Sequence, residues 1–164
     1  MSDPIKRQRG RSAGPRGAAR LAAVQALYQV EITGISGATA IGEFVKHRLG
    51  QEVDGEDYVP ADEPLFRALV TGALAKQDEY DALISSALSP EWPLDRLEMV
   101  IRAILRVAVF ELAGGIDVPA RVVITEYVEI AHAFFAGKEP GLINGVLDRL
   151  GKQLRPAEWE SGHG

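Results

Sequence analysis

Residues 94–115 read LDRLEMVIRAILRVAVFELAGG, and this stretch decides the fold. Asp95 stands where an N-cap belongs, Glu98 can reach back to it, and Leu94 can staple to Met99, so a helix is predicted to open here. From Met99 to Ala113 only Arg102, Arg106 and Glu111 are polar. A helix that is apolar on nearly every side must be packed on nearly every side. It is therefore predicted as the central helix of the second half of the chain, closed by Gly114-Gly115.

The pattern continues in both directions. Downstream, Asp117-Val118-Pro119 turns the chain into a helix through Val128 and Ala131 to Phe134, stopped at Gly137. A last helix from about Pro140 sets Leu142, Ile143, Val146, Leu147, Leu150 and Leu154 on one broad face before Pro156, and residues 156–164 read as a loose tail. Upstream, a helix follows Pro15 and stops at Gly34. Its apolar residues fall on two sides, Leu21, Val24, Tyr28 and Ile32 on one and Ala23, Leu27 and Val30 on the other, as a central bundle element requires. A second helix after Thr39 carries Ile41, Phe44, Val45 and Leu49 and closes at Gly50.

After an acidic loop at 51–61, Asp62 supplies an N-cap and Pro64 sits in the first turn of a long helical segment. The polar patch Lys76 to Glu79 splits it, and both pieces end by Ser89-Pro90. No alternating pattern bounded by hairpin turns occurs, and the strand-like run Val122-Val123-Ile124 has no partner. The prediction is all-α, about seven helices in two small bundles. It places a flexible basic arm at 1–15, one domain at 16–155 with halves 16–89 and 90–155, and the tail at 156–164.

A chain of 164 residues can bury roughly 70% of its unfolded surface, so a core needs no covalent staples. There is no cysteine, and His47, His132 and His163 stand far apart, so no metal site is expected. The net charge of −5 conceals an asymmetry. Residues 1–20 hold Lys6, Arg7, Arg9, Arg11, Arg16 and Arg20 against Asp3 alone, +5, whereas the remainder carries −10. No run of 18 apolar residues exists, so no membrane span is expected. Arg20 and Gln25 interrupt the only stretch that could serve as a secretory leader, and a cytoplasmic location is predicted. An arginine-rich, acid-poor leader also matches an organellar transit peptide, against which the two-sided first helix argues.

Catalysis and cofactors are not expected. The chain has no phosphate loop with its lysine, no glycine fingerprint after a strand, no nucleophile elbow and no His-x-x-x-His pair. Glu126 and Glu129 read as a solvated helix face. The basic arm can follow phosphates, with Arg16 and Arg20 one turn apart on the first helix and able to face one backbone, or it can simply solubilise the chain. Arg102 and Arg106, at i and i+4, need counter-charges: Glu98 can neutralise Arg102, or Arg102 can meet a phosphate or partner while Arg106 is structural. Trp92, in Ser89-Pro90-Glu91-Trp92-Pro93, can stack on a base or pack between the halves.

The motifs then converge. RLAAVQALY from Arg20 to Tyr28 after an arginine-rich start, EWPLDRLEMVIRAILRVAVFEL, DVPARVVITEYVEIAHAFF and EPGLINGVLDRL, in that order, resemble the NusB family over about residues 16–152. The resemblance implies a NusB-like helical fold and a non-enzymatic role in transcription antitermination. It implies binding of boxA-type RNA together with a NusE-like small ribosomal subunit protein, in support of ribosomal RNA synthesis by the transcription elongation complex. Carried over by position, Arg16 and Arg20 match arginines of the RNA-binding motif, while Gly17 and Ala18 stand where some relatives have further arginines. Lys6, Arg7, Arg9 and Arg11 can compensate, and Arg102 joins the RNA-binding set. For the protein partner, Tyr28, Phe134, Lys138 and Leu142 are implied. Asn144 and Gly145 are expected at a close helix contact. The alternative is a protein-interaction or dimerisation module without RNA binding of its own, which leaves a homodimer open.

Overall fold

The structure is a computed structural model and describes residues 14–49, 61–115 and 117–161. Among these residues there are helices and no strand. Helix α1 spans Pro15–Thr33, with Pro15 in its first turn. Gly34 ends it at φ 76°, a left-handed conformation that glycine adopts without a Cβ clash, and its N–H bonds to Val30 O. The two-sided burial expected of α1 holds from Gly17 to Leu27, but Tyr28 and Ile32 are exposed.

Helix α2 runs Gly37–His47 and starts earlier than the sequence suggested, because Ser36 is the cap and accepts from Thr39 N–H at 3.1 Å. Helix α3, Glu63–Ala75, is capped as expected by Asp62, which accepts from Leu65 N–H at 3.0 Å. The break at Lys76 gives α4, Gln77–Ala87. The expected cap at Asp95 does not form. Leu94–Arg96 is a 3₁₀ turn, Leu97 and Glu98 are extended, and Leu97 plugs into the core at 5% exposure. Helix α5 therefore begins at Met99 and runs to Phe110, and Met99 is too exposed to serve as a staple.

A π-helical turn over Glu111–Gly115, with Gly114 at φ 115°, closes α5. Helix α6 spans Ala120–Phe134, so Val122–Ile124 is helical. Helix α7 spans Glu139–Leu154. Within it Asn144 is exposed, and a Cβ on Gly145 would meet only the Arg149 guanidinium at 3.9 Å, so the expected close helix contact is not there.

The tail is not loose over its described part. Pro156–Ser161 form a short helix, α8, making eight α-helices among the described residues. Trp159 is 8% exposed, its ring lies over Gly151, and the Arg121 guanidinium sits 5.5 Å from the ring centroid. An indole carries enough apolar surface to anchor a short segment that otherwise reads as polar.

Helix α1 packs on α2, α3 and α5, while α5 packs on α1, α3, α4, α6 and α7. Buried residues from both halves of the chain form one hydrophobic cluster. Helices α3 and α5 approach so closely that a Cβ on Gly72 would overlap the Phe110 ring. Asp62 N–H bonds to Pro15 O at 3.0 Å, fixing the start of α3 beside the start of α1.

Candidate nucleic-acid interface

Lys6, Arg7, Arg9 and Arg11 lie outside the described residues. Arg16 is exposed in the first turn of α1. Arg20, expected beside it on the RNA face, is instead 3% exposed. Its Nε and Nη2 donate to the two carboxylate oxygens of Glu111 at 2.7 and 3.1 Å, and Nη1 reaches Glu126 at 3.4 Å. The Tyr127 hydroxyl donates to the same Glu111 at 2.5 Å. An i to i+4 step rotates about 40° around a helix axis, and α1 sinks into the core between these two arginines, so one turn separates solvent from interior.

The electrostatics suit a permanent structural pair. Burial alone would lower the Arg20 pKa, but the hydrogen bonds and charge of Glu111 outweigh it and raise the pKa above the ordinary guanidinium value. Burial, reinforced by the Glu111 charge, pushes the Tyr127 hydroxyl well above its ordinary range, so it remains a donor. A bidentate guanidinium–carboxylate pair is the geometry in which buried charges best compensate their lost hydration.

Arg102 and Arg106 form a second network. Arg102 Nη2 meets Glu31 at 2.7 Å, and Arg106 Nη1 meets the other oxygen of Glu31 at 3.0 Å. Arg106 also forks onto Asp81 at 2.8 and 2.9 Å. The counter-charge for Arg102 is thus Glu31 on α1, where the sequence suggested Glu98. Arg106 is structural, as expected. Arg102 keeps an Nε without a hydrogen-bond partner among the described residues, and both arginines line a cleft of about 560 Å³ with Ser85, Ser89 and Asp95.

Two further grooves lie on the surface. One, of about 500 Å³, runs between α1, α2, α5 and α6 and is lined by Tyr28, Ile32, Phe44, Arg48, Val100 and Phe134. The other, of about 460 Å³, is lined by Trp92, Leu97, Ile101, Lys138 and Leu142. The four residues implied for a protein partner are therefore divided, Tyr28 with Phe134 and Lys138 with Leu142. Trp92 is 53% exposed and does not fill the space between the halves.

The NusB family model matches residues 17–152. The transcription antitermination protein NusB of Rhizobium rhizogenes strain K84 is 51% identical over 155 residues, covering 94% of this chain and 97% of that protein. The chain belongs to the NusB family. The NusB protein of Sinorhizobium fredii is 55% identical over 145 residues, covering 88% and 91% of the two chains. Among solved structures, T. maritima NusB superimposes with a TM-score of 0.71 at 29% identity, covering 88% of this chain and 96% of that one. A chain from a complex of the antitermination factors NusB and NusE with dsRNA gives 0.70 at 26% identity, covering 85% and 97%.

In this NusB-family chain, sequence reasoning overlooked Glu111 and Glu31, the acids that hold Arg20 and Arg102. Glu111 could have been flagged as an acid on a helix predicted to be buried all round, since such a charge requires a partner. Sequence separation hid which one, for Arg20 lies 91 positions away. Gln25, whose Oε1 is buried beside the Tyr28 groove without a hydrogen-bond partner among the described residues, carries no signal in the sequence beyond interrupting an apolar stretch.

Proposed function

We propose that the protein is a non-enzymatic transcription antitermination factor that binds boxA-type RNA together with a NusE-like small ribosomal subunit protein. In this role it supports ribosomal RNA synthesis by the transcription elongation complex. The family match over residues 17–152 carries the reading, and the relative seen with NusE and dsRNA supports the choice of partners. Within this chain, exposed Arg16 orients the RNA and Lys6, Arg7, Arg9 and Arg11 add sequence-independent affinity. Arg20 contributes indirectly, by holding α1 against α5 and α6. Arg102 offers a second basic contact at the edge of its cleft. Tyr28 with Phe134, and Lys138 with Leu142, supply partner surface from the two grooves.

The test is an electrophoretic titration of boxA-type RNA, with and without the NusE-like protein, at two salt concentrations. Affinity is expected to fall as salt rises, and Arg16→Ala should reduce the log–log salt slope by about one phosphate contact. Binding seen only with the partner present makes the complex the functional unit. Absence of binding under both conditions, or a salt-independent affinity, overturns the RNA reading in favour of a protein-interaction module.

A further inference from the structure

The C-terminal segment is built into the molecule through one side chain. Arg155, between α7 and α8, donates from Nε to Leu112 O at 3.0 Å, from Nη2 to Glu111 O at 2.7 Å, and from Nη1 to the carbonyl of Val118. These carbonyls belong to the π-helical turn that ends α5 and to the approach to α6, where a helix end leaves acceptors without intrahelical donors. Glu158 holds the guanidinium from the other side at 3.0 Å, and its second oxygen accepts from Ala120 N–H at 2.8 Å. That bond serves a helix whose own N-cap, Pro119, provides no side-chain cap. Trp159, seated on Gly151, fixes the whole turn in place.

Glu111 is the point where this assembly meets α1. Its backbone carbonyl is bound by Arg155, and its carboxylate is fully buried and grips Arg20 one turn after Arg16. We infer that Arg155, braced by Glu158 and Trp159, is a positioning residue for RNA binding. It fixes Glu111, Glu111 fixes Arg20, and Arg20 sets the direction in which Arg16 projects from α1. The functional part of this inference rests on the RNA-orienting role given to Arg16; the mechanical part does not. Neither Arg155 nor Trp159 needs to touch RNA for the relay to act.

Three full-length variants separate the relay from general stability: Arg155→Gln, Trp159→Ala and Val146→Ala, the last a core truncation in α7 outside the relay. Amide exchange at residues 18–24 is measured with urea stability and RNA affinity. Compared at equal global stability, the two relay variants are expected to speed exchange in that turn about tenfold more than Val146→Ala does. They should also weaken RNA binding several-fold while leaving the salt slope unchanged, because the phosphate-contacting side chains remain. Equal effects from Val146→Ala, or faster exchange confined to residues 111–122, overturn the relay. If Arg155→Gln does not fold, Trp159→Ala, which leaves the guanidinium in place, carries the comparison. If the native chain binds no RNA, the role of Arg16 fails, and the exchange data still decide the relay.

Discussion

Glu111 has no exposed surface, yet Arg20 and Tyr127 converge on its carboxylate and Arg155 binds its main-chain carbonyl. Removing its charge leaves the buried Arg20 guanidinium with only the 3.4 Å contact to Glu126 as counter-charge. Glu111→Gln is therefore expected to destabilise the fold by about 3–5 kcal/mol in urea denaturation, whereas Arg16→Ala leaves stability within about 0.5 kcal/mol. The contrast shows what residue-level reading can and cannot reach. Helical spacing correctly places Arg16 and Arg20 one turn apart, but the period does not state which side of α1 faces water. The deciding information is an acid that becomes a neighbour only when α5 packs on α1.

At the scale of elements, boundaries marked by local chemistry were legible. Pro15 and Gly34, Asp62 with Pro64, and the turn at Asp117-Val118-Pro119 all act within a few residues of where they stand. The start of α5 was not, because Asp95, Glu98 and Met99 have capping-box spacing while the burial of Leu97 pulls the chain into a 3₁₀ turn and an extended pair. Tertiary packing outweighed a local signal of about 1 kcal/mol. The C-terminal element was missed for the opposite reason: its anchor, Trp159, acts through contacts on Gly151 and Arg121 that no local pattern announces.

Glu158 makes that element sensitive to pH. Its bond from Ala120 N–H lowers its pKa below the ordinary 4.5, so the stability it supplies is present above that value and is lost as pH falls through the lowered one. Thermal melts of Glu158→Gln should lie below the native protein at neutral pH and converge with it in acid. Gly72 offers a test of packing between elements. Gly72→Ala puts a methyl into the Phe110 ring and is expected to cost about 1–3 kcal/mol, read as a lowered urea midpoint.

At the scale of the molecule, α5 of the second half packs on three helices of the first. Unfolding is therefore expected to be one transition. The fluorescence of Trp159, buried in α8, should report the same urea midpoint as the helical circular dichroism, and two separated midpoints would contradict a shared core. The grooves are legible only at this scale. Tyr28, Val100 and Phe134 come from three helices and share a surface through the fold alone. Among the described residues no helix is long and apolar enough to cross a membrane.

The bond from Asp62 to Pro15 has a consequence for chain continuity. It ties together two helix starts that the covalent chain joins only by way of α2 and the segment at 50–60. With α1 and α3 also packed along their lengths, the peptide link through 50–60 duplicates a connection that the core already makes. Cutting it turns folding into an association of two pieces, so stability becomes dependent on protein concentration. A protein nicked there should therefore behave as a noncovalent two-piece assembly, with the root of the basic arm still held by the larger fragment.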